Sequence, residues 1–175
     1  MSGPEDLAVS LVAPRPVQWE RRFAALRARI LYVLPDAAVE HIGSTAVPGL
    51  PTKDVVDVLV GVQADAVAAS AVALRDDGFD REGVRPDHAW LCLPSRLDRD
   101  AVVHVVTIGG GQWQDRLDFR DLLRASSYAR ESYLAVKRRL ADGETGWGEY
   151  TAGKTQIMRE LLDEHRSGQP ISSSA

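Results

Sequence analysis

Apolar positions recur along this chain with two periods, and the switch between them divides it into elements. From residue 17 to 34, Trp19, Phe23, Leu26, Ile30 and Leu34 fall at helical spacing, with Arg21, Arg22, Arg27 and Arg29 between them. That pattern predicts an amphipathic helix with a basic outer face. Before it, residues 9–13 read as a short strand cut off by Pro14 and Pro16; after it, Pro35-Asp36 ends the helix. Residues 37–42 and 56–62 read as strands. The alanine-rich stretch 65–74 follows as a crossover helix, opened by Asp65 as cap and stopped at Gly78. Three further strands are expected at 79–84, 88–93 and 101–108, with a turn at Pro86-Asp87 and a polar loop over 94–100. Beyond Gly109-Gly110-Gly111 the period turns helical, predicting helices at 113–124, 127–141 and 148–166. The order predicts an α+β fold, a mixed β-sheet flanked by helices with a C-terminal helical segment. One domain is expected over 9–166, with 1–8 and 167–175 as flexible tails.

Composition changes this picture little. A chain of 175 residues, 45% hydrophobic, can bury a core without disulfide staples. Its single cysteine, Cys92, lies in an apolar run and reads as a small buried hydrophobe. A net charge of −4 argues against general nucleic-acid binding, although a local basic groove stays open. The amino-terminal residues lack a basic region followed by an apolar run, and no stretch reaches the length of a membrane span. The expected location is the cytoplasm, with no membrane partner.

Candidate chemistry concentrates between Glu40 and Val62. A strand runs into Gly43-Ser44-Thr45, and a loop broken by Pro and Gly leads to a second strand carrying Asp57. A turn of small residues lets backbone N–H groups and hydroxyls approach a phosphate. Asp57 could then hold a divalent cation beside it. On residue types alone, Gly43 and Gly49 read as chain turns, and Asp57 as a partner for a nearby loop. His104 lies in an apolar strand, facing the same way as Val102 and Val106. Either a hydrogen-bonded core histidine or a metal ligand and base beside Asp57 fits that position. Residues 148–155 match the P-loop pattern, but the polar stretch before them is not a strand, and too little chain follows for a P-loop core.

The segment EHIGSTAVPGL, followed by Lys53 and Asp57, resembles the GrpB (UPF0157) family, whose domains have the polymerase-beta-like nucleotidyltransferase fold. Trp19, His88, His104, Phe119-Arg120-Asp121, Lys137, Tyr150 and Lys154 extend the resemblance over nearly the whole chain. It implies Asp57 and His104 as catalytic residues and metal ligands, with Mg²⁺ or Mn²⁺ as cofactor. It also implies Gly43, Ser44, Thr45, Lys53, Arg120, Lys137, Tyr150 and Lys154 around the phosphates of a nucleotide or other phosphorylated small molecule. His41 and His88 are possible additions. Leu59 stands where active transferases of this fold carry a second acid, Asp54 replaces a family proline, and Val102 replaces a frequent histidine. Two readings follow: nucleotidyl transfer to an unknown acceptor, or a non-catalytic accessory or ligand-binding module like the domain fused to dephospho-CoA kinase in some bacteria. A third, a histidine-based metal hydrolase, requires His41, His88 and His104 to converge.

Overall fold

The computed structural model describes residues 10–142 and 147–168, without the side chains of residues 142 and 147–151. The elements are α1 (Pro16–Val33), β1 (Ala38–Ile42), β2 (Val56–Val62), α2 (Val67–Asp76), β3 (Asp80–Arg85), β4 (His88–Ser95), β5 (Asp98–Thr107), α3 (Gly111–Ala125), α4 (Ser127–Asp142) and α5 (Trp147–Ser167). The strands form one sheet in the order β1-β2-β5-β4-β3. Only the β2–β5 pair is parallel, so the sheet is mixed, in an α+β arrangement.

Strand alternation sorts the residues by face. Val56, Val58, Val60, Val103, Val105, Ala89 and Leu91 point to one side and are buried against α1 and α2. Asp57, Leu59 and Gly61 point to the other, in register with Val102, His104 and Val106 on β5. There α3 covers part of the sheet closely: a Cβ at Gly61 would stand 2.6 Å from the Trp113 ring. Behind α3, Val47, Leu50, Phe119, Leu122, Leu123, Tyr133, Leu161 and Leu162 form a second core that anchors α4 and α5.

Several local expectations are corrected. Only Val12 of the first predicted strand pairs, through a two-bond bridge with Thr52; Val9 and the tail 1–8 lie outside the described residues. Asp65 does not cap α2, because a 3₁₀ turn, Ala64–Ala66, precedes the helix and holds it. The polar stretch 94–100 is not a loop: β4 and β5 run through it as a hairpin paired to Ser95 and Asp98. Arg96 closes on Asp80, and Arg99 on Glu82, so ion pairs support extended backbone there. Ser167 ends α5, and residues 169–175 lie outside the described residues.

The arginines of α1 are not all solvated. Asp54 receives Arg15 Nη1 at 2.9 Å, Trp19 Nε1 at 2.8 Å and Arg22 Nη1 at 2.7 Å, fastening α1 to the loop before β2. Burial works against the Asp54 charge, but the Trp19 hydrogen bond and Arg22 outweigh it and hold the carboxyl below its ordinary value. Trp19 is 1% exposed, so loss of its acceptor strands a buried N–H. Asp54→Ala is therefore expected to cost about 2–3 kcal/mol in urea unfolding. Because the folded pKa is depressed, this stability is present above the unfolded carboxyl pKa of about 4 and is lost as pH falls through the folded value. The variant should show a shallower acid limb.

Candidate functional site

β1 ends at Ile42, and Gly43 turns the chain with φ at 69° into a single 3₁₀ turn, Ser44–Ala46. Ile42 pairs with Asp57 across the β1–β2 ladder, so the Asp57 carboxylate rises beside the Gly43 backbone. A Cβ at Gly43 would lie 2.9 Å from both Cβ and Cγ of Asp57. The close approach read from the small residues is thus to a carboxylate of the chain itself.

Asp57 and His104 share a sheet face and line a cavity of about 560 Å³ over β2, β5 and β4. Among the described residues, Lys53, Arg85, Arg99, Arg116 and Lys154 also face it, with two carboxylates, Asp57 and Glu82. Glu82 is already bound by Arg99 Nε at 2.9 Å. A smaller cavity of about 210 Å³ adjoins it, sharing Asp57, His104, Arg116 and Lys154 and reaching Gly43.

The electrostatics follow from crowding of like charges. Burial, then Lys154, lowers the Lys53 ammonium to about 6, against the pull of Asp57. Lys137 is fully buried on α4, donating to Ser44 Oγ at 3.1 Å and to the Pro51 carbonyl at 2.9 Å. Burial and Lys154 lower it to about 6 as well. Burial raises the Asp57 carboxyl, while Lys154, Lys53, Lys137 and Arg116 oppose that rise. Arg116 is itself lowered by burial.

His88 Nε2 and His104 Nδ1 stand 3.0 Å apart, so one ring donates to the other. Burial, with Arg116 next, lowers His88 to about 4 and His104 well below its ordinary value. Both rings are therefore neutral near pH 7, and the pair leaves His104 Nε2 as the ring atom that is not committed to His88.

Other expected residues do not join them. His41 pairs with Val58, on the opposite face from Asp57, where it stacks on Phe23 at 4.7 Å. The three histidines therefore do not converge; only His88 and His104 do. Thr45 Oγ1 bonds His41 Nε2 at 2.9 Å, and Ser44 is buried under Lys137, so neither hydroxyl lines the large cavity. Arg120 reaches across α3 to Glu40 Oε2 at 2.8 Å and to the His41 carbonyl at 3.2 Å. These bonds tie α3 to β1, and Arg120 does not line the cavity. The Tyr150 side chain lies outside the described residues, and the stretch 148–155 lies within α5.

Sequence reasoning missed Arg116, Trp90, Arg85, Arg99 and Glu82. Arg116 stands one helical turn before Arg120, the residue carrying the resemblance, and that spacing was the available signal. Nothing local marks the other four, which meet only because β3, β4 and β5 pair.

A family model described as GrpB protein matches residues 8–164. The chain belongs to the GrpB family. A UPF0157 protein of Deinococcus radiodurans is 48% identical over 154 residues, covering 88% of this chain and 81% of the relative. A dephospho-CoA kinase of Mycobacterium leprae is 33% identical over 141 residues, 62% of this chain but 34% of the kinase. The crystal structure of GrpB from Enterococcus faecalis superposes with a TM-score of 0.71 at 24% identity, covering 89% of this chain and 99% of that one. The Cid1 poly(U) polymerase with MgGTP bound gives a TM-score of 0.52 at 16% identity, over 74% of this chain and 44% of Cid1. The fold is thus nucleotidyltransferase-like.

The divalent ions expected from that fold meet a poor donor set here. Among the described residues, no three His, Cys, Asp or Glu side chains gather as metal ligands. Leu59, two residues after Asp57, is fully buried against Ile42 and Val106, where a second carboxylate would be needed. Among the described residues, the Asp57 carboxylate is surrounded by four basic side chains, Lys154, Lys53, Lys137 and Arg116. These residues do not fit a resident pair of divalent ions. Among the described residues, no helix is long and apolar enough to cross a membrane.

Proposed function

We propose that the GrpB-family cavity binds a nucleotide or another small phosphate ester through Lys53, Arg116 and Lys154. The supporting observation is the convergence, among the described residues, of five basic side chains with the carboxylates of Asp57 and Glu82 in a cavity sized for a small molecule. Burial, and then the opposed charge of basic side chains crowded in this way, lowers Lys53, and an anion bound among them favours their charged forms. Binding by these residues calls for no resident metal, and the function is that of a ligand-binding module. The kinase relative makes CoA and dephospho-CoA natural probes beside the nucleoside triphosphates.

A second reading, metal-dependent nucleotidyl transfer, is favoured by one observation. Asp57 sits against the Gly43 turn in a fold shared with a polymerase whose structure holds MgGTP. In that case Asp57 supplies one ligand to a cation beside the phosphates, and His104 is the available base.

A thermal-shift series tests the proposal. Each triphosphate, CoA and dephospho-CoA is added with EDTA, with Mg²⁺ and with Mn²⁺. Ligand at ~100 times its dissociation constant stabilises by about 2.7 kcal/mol, a rise in Tm of roughly 5–10 °C. A rise in EDTA is expected; no rise with any phosphate ester under any condition contradicts the proposal.

Binding should also be linked to protons. Lys53 titrates near 6 in the free protein, and a bound phosphate raises that value. The complex therefore takes up protons above pH 6, and affinity falls as pH rises. Calorimetry in two buffers of different ionisation enthalpy should show net uptake at pH 7.5, reduced in Lys53→Ala.

A further inference from the structure

The end of the cavity away from Gly43 carries a different chemistry. Trp90 on β4 pairs with His104 on one side and Gly83 of β3 on the other, at the register shift between Arg81 and Gly83. Its indole lies down across Gly83: a Cβ there would stand 2.5 Å from Cε2 and Cη2 of the ring. A glycine at this one position lets the indole lie against the backbone of the sheet. The ring is half-buried and lines the cavity, with the neutral His88 ring at 5.1 Å and the Arg85 guanidinium over it at 5.5 Å from the centroid. Among the described residues, α3 and α5 contribute Arg116, Lys154 and Thr155 to the lining of this cavity, and no apolar side chain.

We infer that Trp90 is the stacking platform for the aromatic base of a nucleotide whose phosphates lie among Lys53, Arg116 and Lys154. The inference rests on the phosphate-binding reading and adds the group that tells a nucleotide from a bare polyphosphate. An indole held flat offers a base its π-face without ordering cost, and stacking of this kind is worth roughly 5- to 150-fold in affinity. Arg85, long and exposed, lies over the ring in the free protein; it swings out to admit the base and then covers it from solvent as the second plate. Stacking is tolerant of base identity, so the platform predicts binding of purine and pyrimidine nucleotides alike, with the larger purine face favoured.

The test compares ATP with inorganic tripolyphosphate in EDTA, by calorimetry and tryptophan emission, on the full chain as wild type, Trp90→Phe and Trp90→Leu. The ratio of ATP affinity to tripolyphosphate affinity should fall at least fivefold in Trp90→Leu and stay within threefold of wild type in Trp90→Phe. Wild-type emission should be quenched by ATP more than by tripolyphosphate, and that difference should vanish in Trp90→Phe. This second readout stands even where Trp90→Leu does not fold. An unchanged ratio in Trp90→Leu, or equal quenching by both ligands, overturns the platform while tripolyphosphate binding keeps the phosphate reading. Binding of neither ligand overturns that reading and the platform with it.

Discussion

Gly43→Ala is expected to lose about 3 kcal/mol of stability or more, a fall in Tm of roughly 6–12 °C. Two costs add. An alanine at φ 69° is strained by about 1–2 kcal/mol. Its methyl would also press on Asp57, whose Cβ and Cγ lie 2.9 Å away on a fully paired central strand that cannot retreat. Gly49→Ala isolates the first cost, since Gly49 has φ 78° but nothing within 4 Å of an added Cβ. It should lose only about 1 kcal/mol. Asp57→Gly in the Gly43→Ala background should return part of the stability, and a cycle of the four proteins measures the coupling. Equal costs for the two alanines would show that the loop, not the carboxylate, sets the requirement.

The largest effect on ligand binding is expected from Lys53→Ala with Lys154→Ala. Both side chains face the large cavity beside Asp57. A charge-assisted contact to phosphate contributes about 1.5–3 kcal/mol, so each single variant should weaken ATP roughly 10- to 100-fold. The double variant should weaken it further, although less than additively, because removing one cation relieves the other. Salt should oppose wild-type binding, and the dependence should be shallower in the variants. Arg120→Ala is the contrasting control: it breaks the bonds to Glu40 and His41 and should cost stability rather than affinity. Wild-type affinity in the folded double variant would remove these lysines from the site.

How much of this was legible in the sequence depends on the range of the interaction. The helix period fixed α1 to within a residue at each end, and strand alternation placed His104 on the same side as Val102 and Val106, where the structure has it in register with Leu59 beside Asp57. Both are local consequences of backbone geometry. The polar hairpin at 94–100 was not legible, because its extended form depends on Asp80 and Glu82, which lie more than a dozen residues away. Nor was His41, whose neighbour Asp57 faces the opposite way: the outcome turned on which strand edge β1 occupies and in which register. Resemblance named Lys53, Lys137 and Lys154, of which Lys53 and Lys154 line one cavity while Lys137 donates to Ser44 and Pro51, and it also carried Arg120, which bonds Glu40. Trp90 and Arg116 acquire meaning only once the sheet order sets them on one cavity.

The most direct measurement is the calorimetric affinity of ATP for wild type and Asp57→Asn, each in EDTA and in Mg²⁺. If the cations hold the phosphates, ATP binds in EDTA and Asp57→Asn binds it at least as tightly, since a like charge has been removed from beside the ligand. Binding that appears only with Mg²⁺ and is lost in Asp57→Asn would contradict this, and would make the carboxylate a metal ligand in a transferase site.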